Sequence, residues 1–270
     1  PKAGHFVPPT LISIDSIADL TREIFGPVLH IARFKANELD RVIDDINATG
    51  YGLTFGLQTR IDDRVQHVSE RIKAGNIYVN RNQIGAIVGS QPFGGAGLSG
   101  TGPKAGGPLY LSRFRKLETR ETDDVFDTQM SFTDITREID AVTAPDVAQK
   151  EVLPGPTGEL NQISRHARAP FLCLGPGSDA AKSQAAAVRA LGGHAIEATG
   201  AVQPDDLIEI KGISGVIYWG DSEQKRRYAQ ALAAREGAIL PLLTGQPNSG
   251  YVLEEQHLCV DTTAAGGNAA

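Results

Sequence analysis

Two cysteines, one methionine, one tryptophan and 6% aromatic residues in 270 positions leave little room for several kinds of chemistry. Cys173 and Cys259 stand far apart, each inside an apolar run, the usual setting of buried thiols in a reduced, cytoplasmic protein. The six histidines are scattered singly (His5, His30, His67, His166, His194 and His257), with no i,i+4 or finger spacing, so a metal site is not expected. No apolar run approaches the roughly 18–20 residues that span a bilayer. Basic residues are in the minority, 26 Lys and Arg against 32 Asp and Glu, and they form no run or aromatic-interleaved stripe. A net charge of −6 therefore argues against a nucleic-acid surface. The length suits one large domain or two modest ones. The N-terminal PKAGHFVPPTL has no charged-then-apolar leader and no initiator Met, so the expectation is a chain that begins inside a longer polypeptide.

What the sequence does have is a glycine- and proline-rich stretch, residues 84–114, IGAIVGSQPFGGAGLSGTGPKAGGPLYLSRF. A flexible linker would be polar throughout and would not carry Ile84, Ile87, Val88, Phe93 and Leu98. It reads as an ordered loop in which glycine permits positive φ and close backbone approach. Long ordered loops inside compact domains are usually functional.

The chain before this loop alternates strands and helices. Residues 6–14 read as an edge strand broken by Pro8 and Pro9, and 28–34 as a second strand. Leu39, Val42, Ile43 and Ile46 recur at helical spacing behind Asn37 as a candidate N-cap. Ile61, Val65, Val68 and Ile72 mark a second helix that stops at Gly75. NIYVN, 76–80, is a strand that delivers the chain into the loop, and LYLSRFRKLE, 109–118, reads as a strand on the way out. From 123 to 160 turn formers dominate and the expectation is a linker or surface wrap. Strand–helix alternation resumes near 161 with PFLCLG, HAIEAT, GVIYWG and AILPLLTG, predicting a parallel, doubly wound α/β sheet to about 250. The tail, 251–270, carries one short strand and a small-residue end. AGNIYVNRNQIGAIVG and HLCVDTTAAGGNAA echo one another, by old duplication or by coincidence.

Gly175-Pro176-Gly177, after a strand and before a helix, partly meets the G-x-G-x-x-G dinucleotide pattern, with Ala180 at the third position and Glu197 at the acidic distance. A tight first turn in a doubly wound domain explains the same residues. Ser99 in GLSG is not a G-x-S-x-G nucleophile, because the spacing is wrong. The pairs Asp44-Asp45, Asp62-Asp63 and Asp123-Asp124 read as solvated faces or turns.

EIFGPV at 23–28, NIYVNR at 76–81 and QPFGGAGLSGTG at 91–102 together resemble the C-terminal part of the aldehyde dehydrogenase superfamily. IGAIVGSQPFGG followed by GLSGTGPKAGGPLYLSRF narrows the resemblance to the L-glutamate γ-semialdehyde (pyrroline-5-carboxylate) dehydrogenase domain of bifunctional proline utilization flavoenzymes. LPGPTGE, PFLCLGP and the tail resemble the Rossmann-like, non-catalytic extra domain of their longer members. The resemblance implies residues 1–122 as the end of the catalytic α/β domain, with an oligomerisation β-flap at about 108–120. It implies that Glu23 hydrogen-bonds the nicotinamide ribose of NAD and that Phe25 packs beside the nicotinamide. Gly85 and Ala86 would hold the substrate's α-carboxylate on backbone N–H groups, and Phe93 would box its aliphatic part. Many relatives carry serine where Ala86 stands, so anchoring would rest more on backbone.

The same resemblance marks what this stretch should not carry. The family's nucleophilic cysteine, its general base and its oxyanion donor all precede EIFGPV, whereas Cys173 and Cys259 follow it. The 270 residues alone are thus expected to be inactive on aldehydes. FAD would belong to a proline dehydrogenase domain further upstream. Homo-oligomers are implied, and the tail is expected to close a cavity between the two sites. The other reading is non-enzymatic, a degenerate fragment acting as an assembly or regulatory module.

Overall fold

The computed structural model describes residues 4–116, 118–143 and 149–263. Its first part opens with a parallel pair, β1 (Thr10–Ser13) and β2 (Val28–Ile31). Then come α1 (Leu39–Ala48), β3 (Tyr51–Gly52), β4 (Thr54–Leu57), α2 (Asp62–Arg71), β5 (Asn76–Val79) and β6 (Ala96–Gly97). The apolar spacing of α1 and α2 does what it predicts: Ile43, Val68 and Ile72 are buried in one cluster with Ala74, Ile77 and Val79. Helix α1 begins two residues after Asn37, behind a 3-10 turn at Ala36–Glu38, so Asn37 is not its cap.

Three expectations need correction. Residues 109–118 are not a strand: Tyr110–Phe114 is a 3-10 helix, and Leu117 lies outside the described residues. Alternation alone does not make a strand without a partner ladder, and here Ser112 caps the carbonyl of Leu109 while Tyr110 meets Phe114 edge-on at 5.4 Å. The antiparallel hairpin lies later, in β7 (Gln149–Leu153) and β8 (Glu159–Ala167). The stretch 123–160 therefore holds structure, including α3 (Phe132–Asp140), whose Ser131 cap and buried Ile135 were masked by the turn formers around them.

The tail strand is the third correction. It is nine residues long, β13 (Leu253–Asp261), and sits at the centre of a five-stranded sheet ordered β4-β5-β13-β8-β7. It runs parallel to β5 and antiparallel to β8. The two echoing segments of the sequence are thus neighbours, with Leu258 beside Ile77 and Cys259 beside Tyr78. Residues 264–270, on which the cavity-closing expectation falls, lie outside the described residues.

Between these strands runs the second sheet. Its elements are β9 (Phe171–Cys173), α4 (Gly177–Ala190), β10 (Ala195–Glu197), α5 (Asp206–Glu209), β11 (Gly215–Ile217), α6 (Ser222–Ala233), β12 (Leu242–Leu243) and α7 (Ser249–Val252). All its pairings are parallel, in the order β10-β9-β11-β12. Successive residues of β9 feed opposite faces: Leu172 and Leu174 pack with Ile135, Leu207 and Tyr228, while Phe171 and Cys173 pack with Ala185, Val188 and Leu243. Burial on both faces is why these strands read as continuous apolar runs.

Candidate functional site

The five-stranded sheet has two unlike faces. One is apolar and carries α1 and α2. On the other, β13 alternates Glu255, His257 and Cys259 inward, beside Asn76 and Tyr78 of β5 and Asn161 and Arg165 of β8. The glycine-rich loop lies over this polar face. Its close approach is visible at Gly75, where an added Cβ would stand 2.0 Å from the carbonyl of Gly94.

Polar groups of the layer tie the loop down. Asn76 donates to the Pro92 carbonyl at 2.8 Å and accepts from the Gly94 N–H at 3.1 Å. Lys104 is buried, donates to Asn76 Oδ1 at 3.0 Å and to the Gly94 carbonyl, and its own N–H meets Glu255 Oε2 at 2.9 Å. Burial pulls the Lys104 ammonium down to about 8 and pushes the Glu255 carboxyl up. His257 is fully buried and is pulled down to about 4 chiefly by the same desolvation, with the Ser90 backbone acting the other way.

The front of the loop is held at both ends and left open in the middle. Asn82 Oδ1 accepts the Ile84 N–H at 3.1 Å, and Gln91 Oε1 accepts the Ile87 N–H at 3.1 Å. Among the described residues, the N–H groups of Gly85 and Ala86 between them donate to none. Gly85 has φ +74° with open space where a side chain would stand, so the turn needs glycine for its backbone and not for room. Gln91 donates in turn to Glu159 Oε1 at 2.9 Å, and Arg81 donates to Glu159 Oε2 at 2.9 Å. Phe93 bridges to Ala105 and lines a cavity of about 440 Å³ with Leu53, Ser99, Lys104, Arg113 and Arg168.

Glu23 and Phe25 stand elsewhere. Glu23 lines a second groove with Thr49, Tyr51 and Leu98, which shares Leu53 and Ser99 with the Phe93 cavity. Its carboxylate carries no hydrogen bond to a described residue, and the Phe25 ring is 87% exposed. A free carboxylate at a groove rim and an open aromatic face fit a ribose diol and a nicotinamide ring, so these residues are compatible with NAD.

Both cysteines are buried and unbridged. Cys173 is fully buried, and burial pushes its thiol up to about 12. Cys259 is buried too; desolvation raises its thiol although Arg81 Nη1 donates to Sγ at 3.2 Å. The glycines of the Gly175–Gly177 turn are closely packed. A Cβ on Gly177 would meet Asp124 at 2.7 Å, one on Gly175 would meet Phe126 at 3.0 Å, and the Gly175 N–H already donates to Gln184 at 3.0 Å. On that side the turn is packed, while a cavity of about 740 Å³ lined by Asp124, Leu174, Pro176 and Tyr218 opens beside it.

Gln91, Arg81, Glu159 and Lys104 were not legible as site residues. Their partners lie 28 to 78 positions away, and only the sheet order brings them together. The signal available was Lys and Gln set inside an otherwise glycine-rich loop.

The segment that carries the glycine-rich loop has a family counterpart: residues 1–119 match the aldehyde dehydrogenase family model. Over 99% of its length the chain is 40% identical to the bifunctional protein PutA of Rhizobium meliloti, of which it covers 25%. It is also 42% identical, over 46% of its length, to the 1-pyrroline-5-carboxylate dehydrogenase of Bacillus subtilis, covering 24% of that protein. The solved proline utilization A from Corynebacterium freiburgense superposes on 90% of this chain with a TM-score of 0.57, at 24% identity, over 26% of its own length, which bears on the fold alone. The chain thus spans about a quarter of the length of the curated PutA relatives it matches.

Proposed function

We propose that this chain supplies the substrate-holding half, and part of the cofactor-contacting surface, of an NAD-dependent site that oxidises L-glutamate γ-semialdehyde to L-glutamate. The observation that carries the reading is the open pair of N–H groups at Gly85 and Ala86, flanked by N–H groups already bonded to Asn82 and Gln91. Two adjacent unpaired donors in a positive-φ turn form a nest for a carboxylate. Phe93, at the far end of the same loop, offers an apolar wall for the carbon chain. Glu23 would accept the ribose hydroxyls of NAD and Phe25 would orient its nicotinamide, which when bound accepts a hydride.

The thiol that attacks the aldehyde would come from another part of a longer polypeptide. Both cysteines here are buried, with thiols raised above the ordinary range. FAD would belong to a further domain of the same bifunctional protein. The apolar residues left open on β1, β2, the turn before β2 and the loop, among them Leu11, Leu29, Phe25 and Val88, give the remainder of that polypeptide a surface to cover. Association of copies would use the free sheet edge at β7, whose Val152 is exposed.

The test is Phe93→Ala in the complete enzyme. The KM for the semialdehyde should rise at least tenfold, by loss of apolar contact. An unaltered KM would remove Phe93 from the pocket.

A further inference from the structure

We propose that Glu159, outside the aldehyde dehydrogenase segment, is a positioning residue for the substrate-gripping loop. The inference rests on the reading that Gly85 and Ala86 hold a carboxylate. Glu159 opens β8, and its side chain is only 13% exposed. One carboxylate oxygen takes Arg81, which precedes the loop, and the other takes Gln91, which ends its front turn. Asn161 Nδ2 adds a third donor at 2.8 Å to the Gln91-side oxygen. A carboxylate is the one side chain that can accept from both ends at once, because neither of its oxygens carries a proton.

The chain of contacts continues to the gripping atoms. With Gln91 Nε2 fixed by Glu159, its Oε1 is aimed at the Ile87 N–H, and the Gln91 N–H closes the turn on the Ile87 carbonyl at 2.9 Å. Arg81 lies over the Tyr78 ring, 5.2 Å from its centre, and the Tyr78 hydroxyl reaches the Gly85 carbonyl at 3.5 Å. Both routes from Glu159 end within one residue of the open N–H pair. The extra domain region therefore does more than cover the site: through Glu159 it sets the spacing of the two donors that read the carboxylate. An isosteric amide cannot repeat this. Its NH₂ must face either Arg81 or the Gln91 and Asn161 donors, so one end of the loop is released and Arg81 loses its counter-charge.

The test is Glu159→Gln in the complete enzyme, with two aldehydes, the semialdehyde and propanal, which has no α-carboxylate. The KM for the semialdehyde should rise about tenfold, kcat should change less than about threefold, and the KM for propanal should stay put. Semialdehyde KM unchanged, or both KM values rising together, overturns the role. Ala86→Pro, which deletes one of the gripping N–H groups, separates this claim from its premise. If it raises the semialdehyde KM while Glu159→Gln does not, the positioning role falls and the loop reading stands. If neither variant moves it, both fall. Should Glu159→Gln fail to fold, Gln91→Met breaks the same link from the loop side, and an unmoved semialdehyde KM there counts equally against the proposal.

Discussion

The two halves of this molecule bury their apolar residues in different ways. The parallel sheet of β9 to β12 is closed on both faces by its own helices, and its two clusters take in nearly every large apolar residue of its strands. The region before residue 119 has one small cluster under α1 and α2, while β1 and β2 form a two-stranded ribbon with Leu11, Leu29 and Ile31 open to solvent. A lone ribbon of that kind is marginal in water. One half is finished by its own sequence; the other is finished by what lies against it, and the first such partner is β13 from the far end of the chain.

The largest expected effect follows from that dependence. Leu258→Pro puts a proline in a strand paired on both sides and should cost about 3 kcal/mol or more. Limited proteolysis should then open residues 4–119 while the β9–β12 sheet stays protected. If both regions melt and digest together, the halves are one cooperative unit and the contrast fails.

Next in size is a matched pair of truncations. Leu172→Ala empties a fully buried position and should cost about 2–5 kcal/mol, whereas Leu29→Ala, at a residue 57% exposed, should cost under about 0.5 kcal/mol in the same chain. Denaturant melts of the two variants check this. In a longer polypeptide that covers β2, the cost at Leu29 should grow toward that at Leu172.

Why some of this was readable in advance and some was not follows the same division. Helices α1, α2, α4 and α6 and the parallel order of β9 to β12 carry their cause locally, in apolar spacing and strand–helix alternation. The loop announced itself because Phe93 and Ile87 do not belong in a flexible linker, and Gly85 and Ala86 were chosen by motif. What sequence could not show is the place of β13. The tail reads only as one short strand, and pairing with β5 and β8 is what makes Glu255, His257 and Cys259 the buried floor beneath the loop. Gln91 and Glu159 are 68 positions apart, so no local pattern joins them. LYLSRFRKLE failed for the opposite reason: it alternates but meets no ladder.

That floor gives the third expected effect. His257 binds its proton at about 4 in the folded chain against an ordinary 6.5, so between those values the unfolded chain holds more protons. Stability should rise with pH across this window and fall as pH drops from 6.5 to 4, by up to about 3 kcal/mol. After the larger effect of burial, Lys104 and Arg81 oppose the charged imidazole, while the Ser90 backbone and Glu159 favour it. Glu255, whose carboxyl is raised, contributes a slope of the opposite sign, so the test is a difference. His257→Gln should flatten the acid limb of the stability profile relative to the parent, and an unchanged limb would mean that the imidazole is hydrated.

The smallest effect asks whether the contrast reaches down to single helix ends. Helix α6 is capped by Asp221, which accepts the N–H groups of Glu223 and Gln224 at 2.9 Å each and the Tyr218 hydroxyl at 3.2 Å. Those backbone donors, Gln224 first, hold its carboxyl below the ordinary aspartate range. Helix α2 starts behind Ile61, whose side chain has no oxygen to offer the first N–H groups, and relies on Asp62 and Asp63 against the helix dipole. Asp221→Ala should therefore cost about 1 kcal/mol by thermal melting, and Ile61→Ala no more than a few tenths. The two values matter together. A cap that costs as expected at α6, with little lost at α2, means that the second region satisfies its own backbone while the first leaves its helix end to dipole and solvent. Equal costs would show that Ile61 is already doing packing work in this chain, and the unfinished character of the first region would then be confined to β1, β2 and the loop.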